Sequence, residues 1–258
     1  MQVDFGKTSE DYARHWAGFP PSLFQRLATA GIGLPGQRVL DLGTGTGTLA
    51  RGFALQGCHV TGVDVAAPQL AQAAELDRQA GVQVTYLLAA AEATGLPSAS
   101  FDVVSAGQCW HWFDRAQAAG EAARLLRPGG RLVIAHYDWI PLPGNIVQLT
   151  EDLIVQHNPA WQGVGGTGVY PRWFGDVAMA GFQQIESFTY DEPAVYSHEG
   201  WRGRVRASAP IGGNLPPDQV ARFDAALAEA LSSRFPADPL SVPHRVFALT
   251  CQAGKGAS

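Results

Sequence analysis

Apolar positions in the first half of the chain fall into short, nearly continuous runs separated by stretches with helical spacing. The runs V-L-D-L, F-D-V-V and R-L-V-I-A have little polar alternation, as expected of strands covered by helices on both sheet faces. The pattern predicts strand 38–42, helix 46–56, strand 58–64, helix 67–80, strand 82–88, strand 101–106, helix 114–126 and strand 131–137. Pro68 sits in a first helical turn, where proline is tolerated, and Gly81 sits where that helix should end. R-P-G-G at 127–130 reads as a turn between helix and strand. Repeated strand–helix units joined by right-handed crossovers predict a doubly wound, mostly parallel sheet.

The flanks differ in texture. Thr8 or Ser9, followed by Glu10 and Asp11, predicts a helix start, and that helix should stop before Pro20. Pro21 then opens a second helix to Ala30. After Tyr137 the chain is rich in Pro, Gly and Trp through residue 170, with one helix over 145–156. A further helix starts at Pro171 and stops at Gly181, and Phe182 to Tyr190 alternates with the period of a strand. Residues 191–215 read as irregular, with a short helix around 199–208. A long helix runs from 216 to Arg234, and His244 to Gln252 form the last strand. The expected organisation is a single domain of 258 residues. It comprises a helical cap (1–36), a core (37–137), lid insertions around one strand (138–240), and the last strand with a tail (241–258).

Composition narrows the partners. A net charge of −5 argues against a nucleic-acid partner, which normally meets a basic stripe. Cys58, Cys109 and Cys251 are odd in number and far apart, which fits a reducing compartment. No histidine or cysteine spacing suggests a metal. The N-terminus has no apolar signal segment, and no run reaches membrane-spanning length, so a cytoplasmic protein is expected, as monomer or homodimer.

The chemistry centres on R-V-L-D-L-G-T-G-T-G at 38–47, with Asp64 ending the next strand. Gly45-x-Gly47-x-x-Ala50 matches a dinucleotide fingerprint, and Asp64 lies near the expected offset of about 20 residues. A nicotinamide cofactor therefore fits the bare motif. Asp41 weighs against it, because a carboxylate at that strand end repels a pyrophosphate and suits an ammonium group. S-adenosylmethionine (SAM) carries an ammonium and a sulfonium, and no phosphate.

Four segments in order, V-L-D-L-G-T-G-T-G, V-T-G-V-D-V, A-E-A-T-G-L-P-S-A-S-F-D-V-V and L-L-R-P-G-G-R-L-V-I, resemble the class I SAM-dependent methyltransferase family over residues 38–137. The resemblance implies a Rossmann-like, seven-stranded, mostly parallel sheet with an antiparallel C-terminal strand and a helical substrate lid. It implies that Asp41, Gly43, Thr44, Gly45 and Gly47 line the amino-acid end of SAM, Asp64 the ribose, and Val65, Ala91 and Glu92 the adenine. The chain departs from the common pattern at Ala90, where an aspartate is usual. Gln108 would lie near the cofactor carboxylate, and Tyr12 in a segment that folds over the cofactor. The product cofactor would be S-adenosylhomocysteine (SAH).

The segment H-W-F-D at 111–114 follows the fourth strand and is similar to that of trans-aconitate-type carboxyl methyltransferases. His111 and Trp112 are therefore the catalytic candidates, since histidine titrates near neutral pH and aromatic faces hold cations. Cys109 reads as a small buried residue. Tyr137 and Trp139 are substrate candidates, as are Arg202 and Arg206, which share a helix face and could clamp an anionic acceptor. The expected function is methyl transfer to a small-molecule metabolite, acidic acceptors included. The alternatives are an NAD(P)-dependent oxidoreductase and a non-catalytic SAM-binding regulator.

Overall fold

A computed structural model of the chain describes residues 18–254. Its elements are α1 (Pro21–Thr29), β1 (Arg38–Leu42), α2 (Thr48–Leu55), β2 (His59–Asp64), α3 (Ala67–Ala80), β3 (Val84–Leu88) and β4 (Phe101–Gly107). A 3₁₀ turn at Trp110–Trp112 precedes α4 (Arg115–Leu125) and β5 (Leu126–Trp139). Then come α5 (Ile146–His157), α6 (Arg172–Met179), β6 (Gln183–Asp191), β7 (Ala194–Tyr196), α7 (His198–Arg206), α8 (Pro217–Arg234), β8 (Leu240–Val242) and β9 (His244–Gln252).

The chain forms two compact units, one of Gly18–Tyr137, Val169–Tyr190 and the chain from Val246, the other of Asp138–Gly168 and Asp191–Arg245. In the first, seven strands pair in the order β3-β2-β1-β4-β5-β9-β6. β1 runs parallel to both β2 and β4, β2 to β3 and β4 to β5, and the sheet includes an antiparallel strand, as expected. The strand order reverses between β1 and β4, so the carboxyl ends of β1, β2 and β4 open onto the crevice where such sheets bind ligands. Ala118, Ala119 and Ala122 of α4 are wholly buried and, lacking bulk, let that helix sit close on the sheet beside Val104, Leu132 and Ile134.

R-P-G-G is part of a bulge inside β5. Phe101 pairs with Leu126, but Val103 already pairs with Arg131, so the intervening residues loop out, with Gly129 at φ +81°. Asp102 fastens the bulge: one oxygen accepts from the Arg127 guanidinium (2.7 Å) and the other from the Arg38 backbone N–H (2.7 Å). The strand therefore begins five residues before the expected start at 131.

A buried polar knot ties α2, α3 and β3 together. Asp77, 3% exposed, accepts from the Arg51 guanidinium at 2.8 Å and from the Tyr86 hydroxyl at 2.7 Å. Arg51 also donates to the Thr46 carbonyl, within the glycine loop.

The second unit holds α5, α7, α8 and the antiparallel pair β7–β8, in register Ala194↔Val242. Neither short strand is visible in the sequence pattern, which leaves 191–198 irregular. Trp201 is fully buried there, its indole N–H donating to the Thr150 hydroxyl (3.1 Å). Among the described residues no helix is long and apolar enough to cross a membrane.

Candidate active site

The chain leaves β1 through five residues in which Gly43, Gly45 and Gly47 all have positive φ (58°, 56° and 76°). This is the left-handed region, which side chains other than glycine enter at a cost of about 1–2 kcal/mol. Gly47 is also crowded, since an added Cβ would stand 2.3 Å from the Tyr86 hydroxyl oxygen. The Thr44 N–H donates to the Val63 carbonyl (2.9 Å), which holds the loop across the ends of β1 and β2.

Asp64 braces the same loop from the end of β2. Its Oδ2 accepts from the Gly45 N–H (2.9 Å) and its Oδ1 from the Ala66 N–H (2.8 Å). An ionised carboxylate offers about four acceptor positions, so two remain for ligand hydroxyls. Beside it, Val65 is 72% exposed and Leu88, paired with Asp64 across β2–β3, is 64% exposed. Large apolar side chains at a crevice edge make a platform for a flat, apolar ligand face. Leu88 was not singled out from the sequence, where it merely ends the apolar run of β3.

Asp41 behaves differently from the expectation that its carboxylate faces the ligand. It is 1% exposed and turned into the protein, where the Thr44 and Ser105 hydroxyls donate to its two oxygens, both at 2.7 Å. Burial raises its pKa from the usual 3.8 to about 6, against the lowering effect of those hydrogen bonds. Between about pH 4 and pH 6 the folded state therefore holds a proton that the unfolded chain has released. Stability should fall as pH rises from about 4 to about 6 and stay lower above it, by roughly 3 kcal/mol from this group. Asp41→Asn should match the parent in melting temperature at pH 4 and exceed it at pH 7. A difference that does not change with pH would overturn this account.

Beyond β4, Gln108 takes φ +62°, an unusual value for a residue with a side chain. β5 imposes it: the Gln108 N–H donates to the Ala135 carbonyl (3.0 Å), and its side-chain amide to the Tyr137 carbonyl (2.6 Å). Cys109 is buried, with its thiol pKa pushed well up by desolvation and the nearby Asp41, and it donates to the Leu42 carbonyl (3.2 Å). It is a packing residue, as expected. Trp110 is fully buried, whereas His111 and Trp112 lie exposed on the 3₁₀ turn with ring centroids 4.7 Å apart. Behind His111 stands His136 of β5, ring centroid 5.4 Å away.

The remaining expected residues make the following contacts. Ala91 is buried, and Glu92 accepts from the Asp114 N–H (3.0 Å), joining its loop to the start of α4. The Tyr137 side chain is buried. In the second unit, Trp139 donates its indole N–H to Glu151 (3.0 Å) and lies under the Arg204 guanidinium, 4.9 Å from the ring centroid. Tyr12 lies outside the described residues.

The arginine clamp requires correction. Arg202 and Arg206 do share a helix face, but both bond Asp224 of α8, and Arg206 also bonds Glu199 at 2.7 Å. Their charges are answered within the unit and join α7 to α8. No cluster of three metal-ligating side chains occurs among the described residues.

Comparison with known proteins agrees with this geometry. The Methyltransferase domain family matches residues 40–134. An uncharacterized methyltransferase of Mycobacterium tuberculosis is 39% identical over 132 residues, which span 51% of this chain and 51% of the relative. The chain thus matches about half the length of such relatives. A ubiquinone biosynthesis O-methyltransferase of Xanthomonas oryzae is 30% identical over 188 residues, 70% of this chain and 74% of the relative. In fold, the chain is similar to the YcgJ protein of Bacillus subtilis (TM-score 0.57, 21% identity, 91% and 99% of the two chains). It is also similar to phosphoethanolamine N-methyltransferase 2 of Haemonchus contortus in complex with S-adenosyl-L-methionine (TM-score 0.55, 22% identity, 96% and 57%). With the glycine loop, Asp64 and the strand order already in place, these matches establish that the chain belongs to the class I SAM-dependent methyltransferase family.

Proposed function

We propose that the protein transfers a methyl group from SAM to a small-molecule acceptor whose nucleophile carries a removable proton. The observation that carries this reading is the Asp64 carboxylate, braced by the Gly45 and Ala66 N–H groups and flanked by exposed Val65 and Leu88. A diol-bearing ribose and an adenine face fit that combination.

Gly43, Thr44, Gly45 and Gly47 would receive the amino-acid end, Asp64 the ribose hydroxyls, and Val65 and Leu88 the adenine, with the Ala91 backbone at its rim. Gln108, held rigid by β5, would stand at the cofactor carboxylate. Asp41 would act through its field and through Thr44, favouring a cationic ligand over a pyrophosphate. That weighs against a nicotinamide cofactor. When bound, SAM supplies an electrophilic methyl group on a sulfonium sulfur.

The protein's share of the work is alignment, exclusion of water and proton removal. On this reading His111 would take the proton, and Trp112, its ring 4.7 Å away, would cover it. An anionic acceptor loses support, because Arg202 and Arg206 already pair with Asp224 and Glu199. The O-methyltransferase name of the Xanthomonas oryzae relative favours a hydroxyl nucleophile. Incubating the protein with methyl-labelled SAM and a fractionated small-molecule extract tests this. Label should enter a low-mass product in wild type and not in Asp64→Ala. Label that stays in SAM across all fractions would contradict the proposal and favour a binding module without turnover.

A further inference from the structure

We infer that His136 is a positioning residue for His111, holding that imidazole in the orientation from which it accepts the acceptor's proton. The inference rests on the methyltransferase reading for its purpose, while its geometry stands apart from it. His136 sits within the apolar run of β5 at 1% exposure. Tyr170 and Trp173, themselves stacked at 3.9 Å with their planes 3° apart, form a wall beside it, at 4.6 and 4.8 Å between centroids. From the outer side comes His111, at 5.4 Å and 59°.

A hydrocarbon ring would fill this place at lower desolvation cost, so an imidazole here calls for a polar task. Two imidazoles at this separation and tilt can turn one ring nitrogen of each toward the other. His111, exposed on its three-residue turn, would then have one nitrogen fixed and the other presented outward.

The proton bookkeeping is simple. The acceptor's hydrogen leaves as a proton to the outward nitrogen of His111, and its bonding pair stays with the nucleophile. The resulting imidazolium directs its inner N–H at His136. Among the described residues, other ionisable groups lie around the pair. The Tyr170 phenol borders His136. The Arg115–Asp176 ion pair (2.9 Å) lies at the Trp110 indole, whose N–H is 3.4 Å from Asp176. The Cys109 thiol is next to Trp110, and Glu92 and Asp114 meet beyond the turn.

The test is an NMR titration of the imidazole Cε1–H signals in the full chain between pH 5 and 9, with His111 assigned by the signal lost in His111→Asn. In His136→Phe the His111 midpoint should move by about half a pH unit or more, because a neighbour that favours one protonation state is gone. His136→Asn and His136→Gln place an amide at the position of one ring nitrogen or the other, and one of them should restore the parent midpoint. If every folded variant titrates within about 0.1 pH unit of the parent, the inference is wrong, whether or not the Phe variant folds. SAH titration of the His136 variants should give parent-like affinity. Loss of SAH binding by the parent would sink the methyltransferase reading and leave the histidine result to be judged separately.

Discussion

Gly47→Ala is expected to melt roughly 10 °C below the parent, the largest stability effect of any single methyl group added to the loop. Two costs add at this position. The backbone is at φ +76°, and the new Cβ would stand 2.3 Å from the Tyr86 hydroxyl oxygen and 3.2 Å from the Ala73 Cβ. Tyr86 cannot simply swing aside, because its hydroxyl donates to buried Asp77, which also holds Arg51. Left-handed strain of about 1–2 kcal/mol and the weakened hydrogen bond to a charged partner, about 1.5–3 kcal/mol, give the size of the effect. Gly81→Ala is the control. It has similar φ (+70°) with nothing within 4 Å of the added Cβ, so only the backbone term applies. In a Tyr86→Phe background the penalty of Gly47→Ala should shrink, which a double-mutant cycle measures. Equal melting shifts for Gly47→Ala and Gly81→Ala would refute the crowding argument.

Asp64→Ala should reduce SAH affinity by roughly 100-fold or more. If Asp64 holds the ribose as proposed, the change removes the acceptor for two hydroxyls, each charge-assisted bond being worth about 1.5–3 kcal/mol. It also releases the Gly45 N–H, so the loop loses its brace from β2. Asp64→Asn keeps one side-chain oxygen and should fall between the two. Isothermal titration of the three proteins with SAH gives the order, and an alanine variant that binds as tightly as the parent would remove Asp64 from the site.

The parts of the fold that were legible in the sequence are those with punctuation. α3 spans 67–80 as expected because Pro68 opens it and Gly81, at φ +70°, closes it. β1 and β9 also have their expected bounds, each being an apolar run broken by residues of another kind. β7 and β8 were missed, because three-residue strands far apart in sequence leave no periodic trace. The turn at Gly43, Gly45 and Gly47 and the strand end at Asp64 were legible because glycines and a closing acid are local signals. Asp41 was readable as a position but not as an orientation, which depends on Ser105, 64 residues away in β4. The arginine pair failed for the same reason, since the acid that answers it lies 18 to 22 residues downstream on α8. His136 was hidden in a run that reads as core, and only its packing beside His111 set it apart.

The central claim is that the crevice above Gly43–Gly47 and Asp64 is built for an adenosyl ligand with a cationic amino-acid end and no phosphate. Titration of the full chain with SAH, followed by the same titration with NADH, tests it most directly. The expected result is one-to-one SAH binding in the micromolar range and no saturable heat from NADH. Saturable NADH binding without SAH binding would contradict the account.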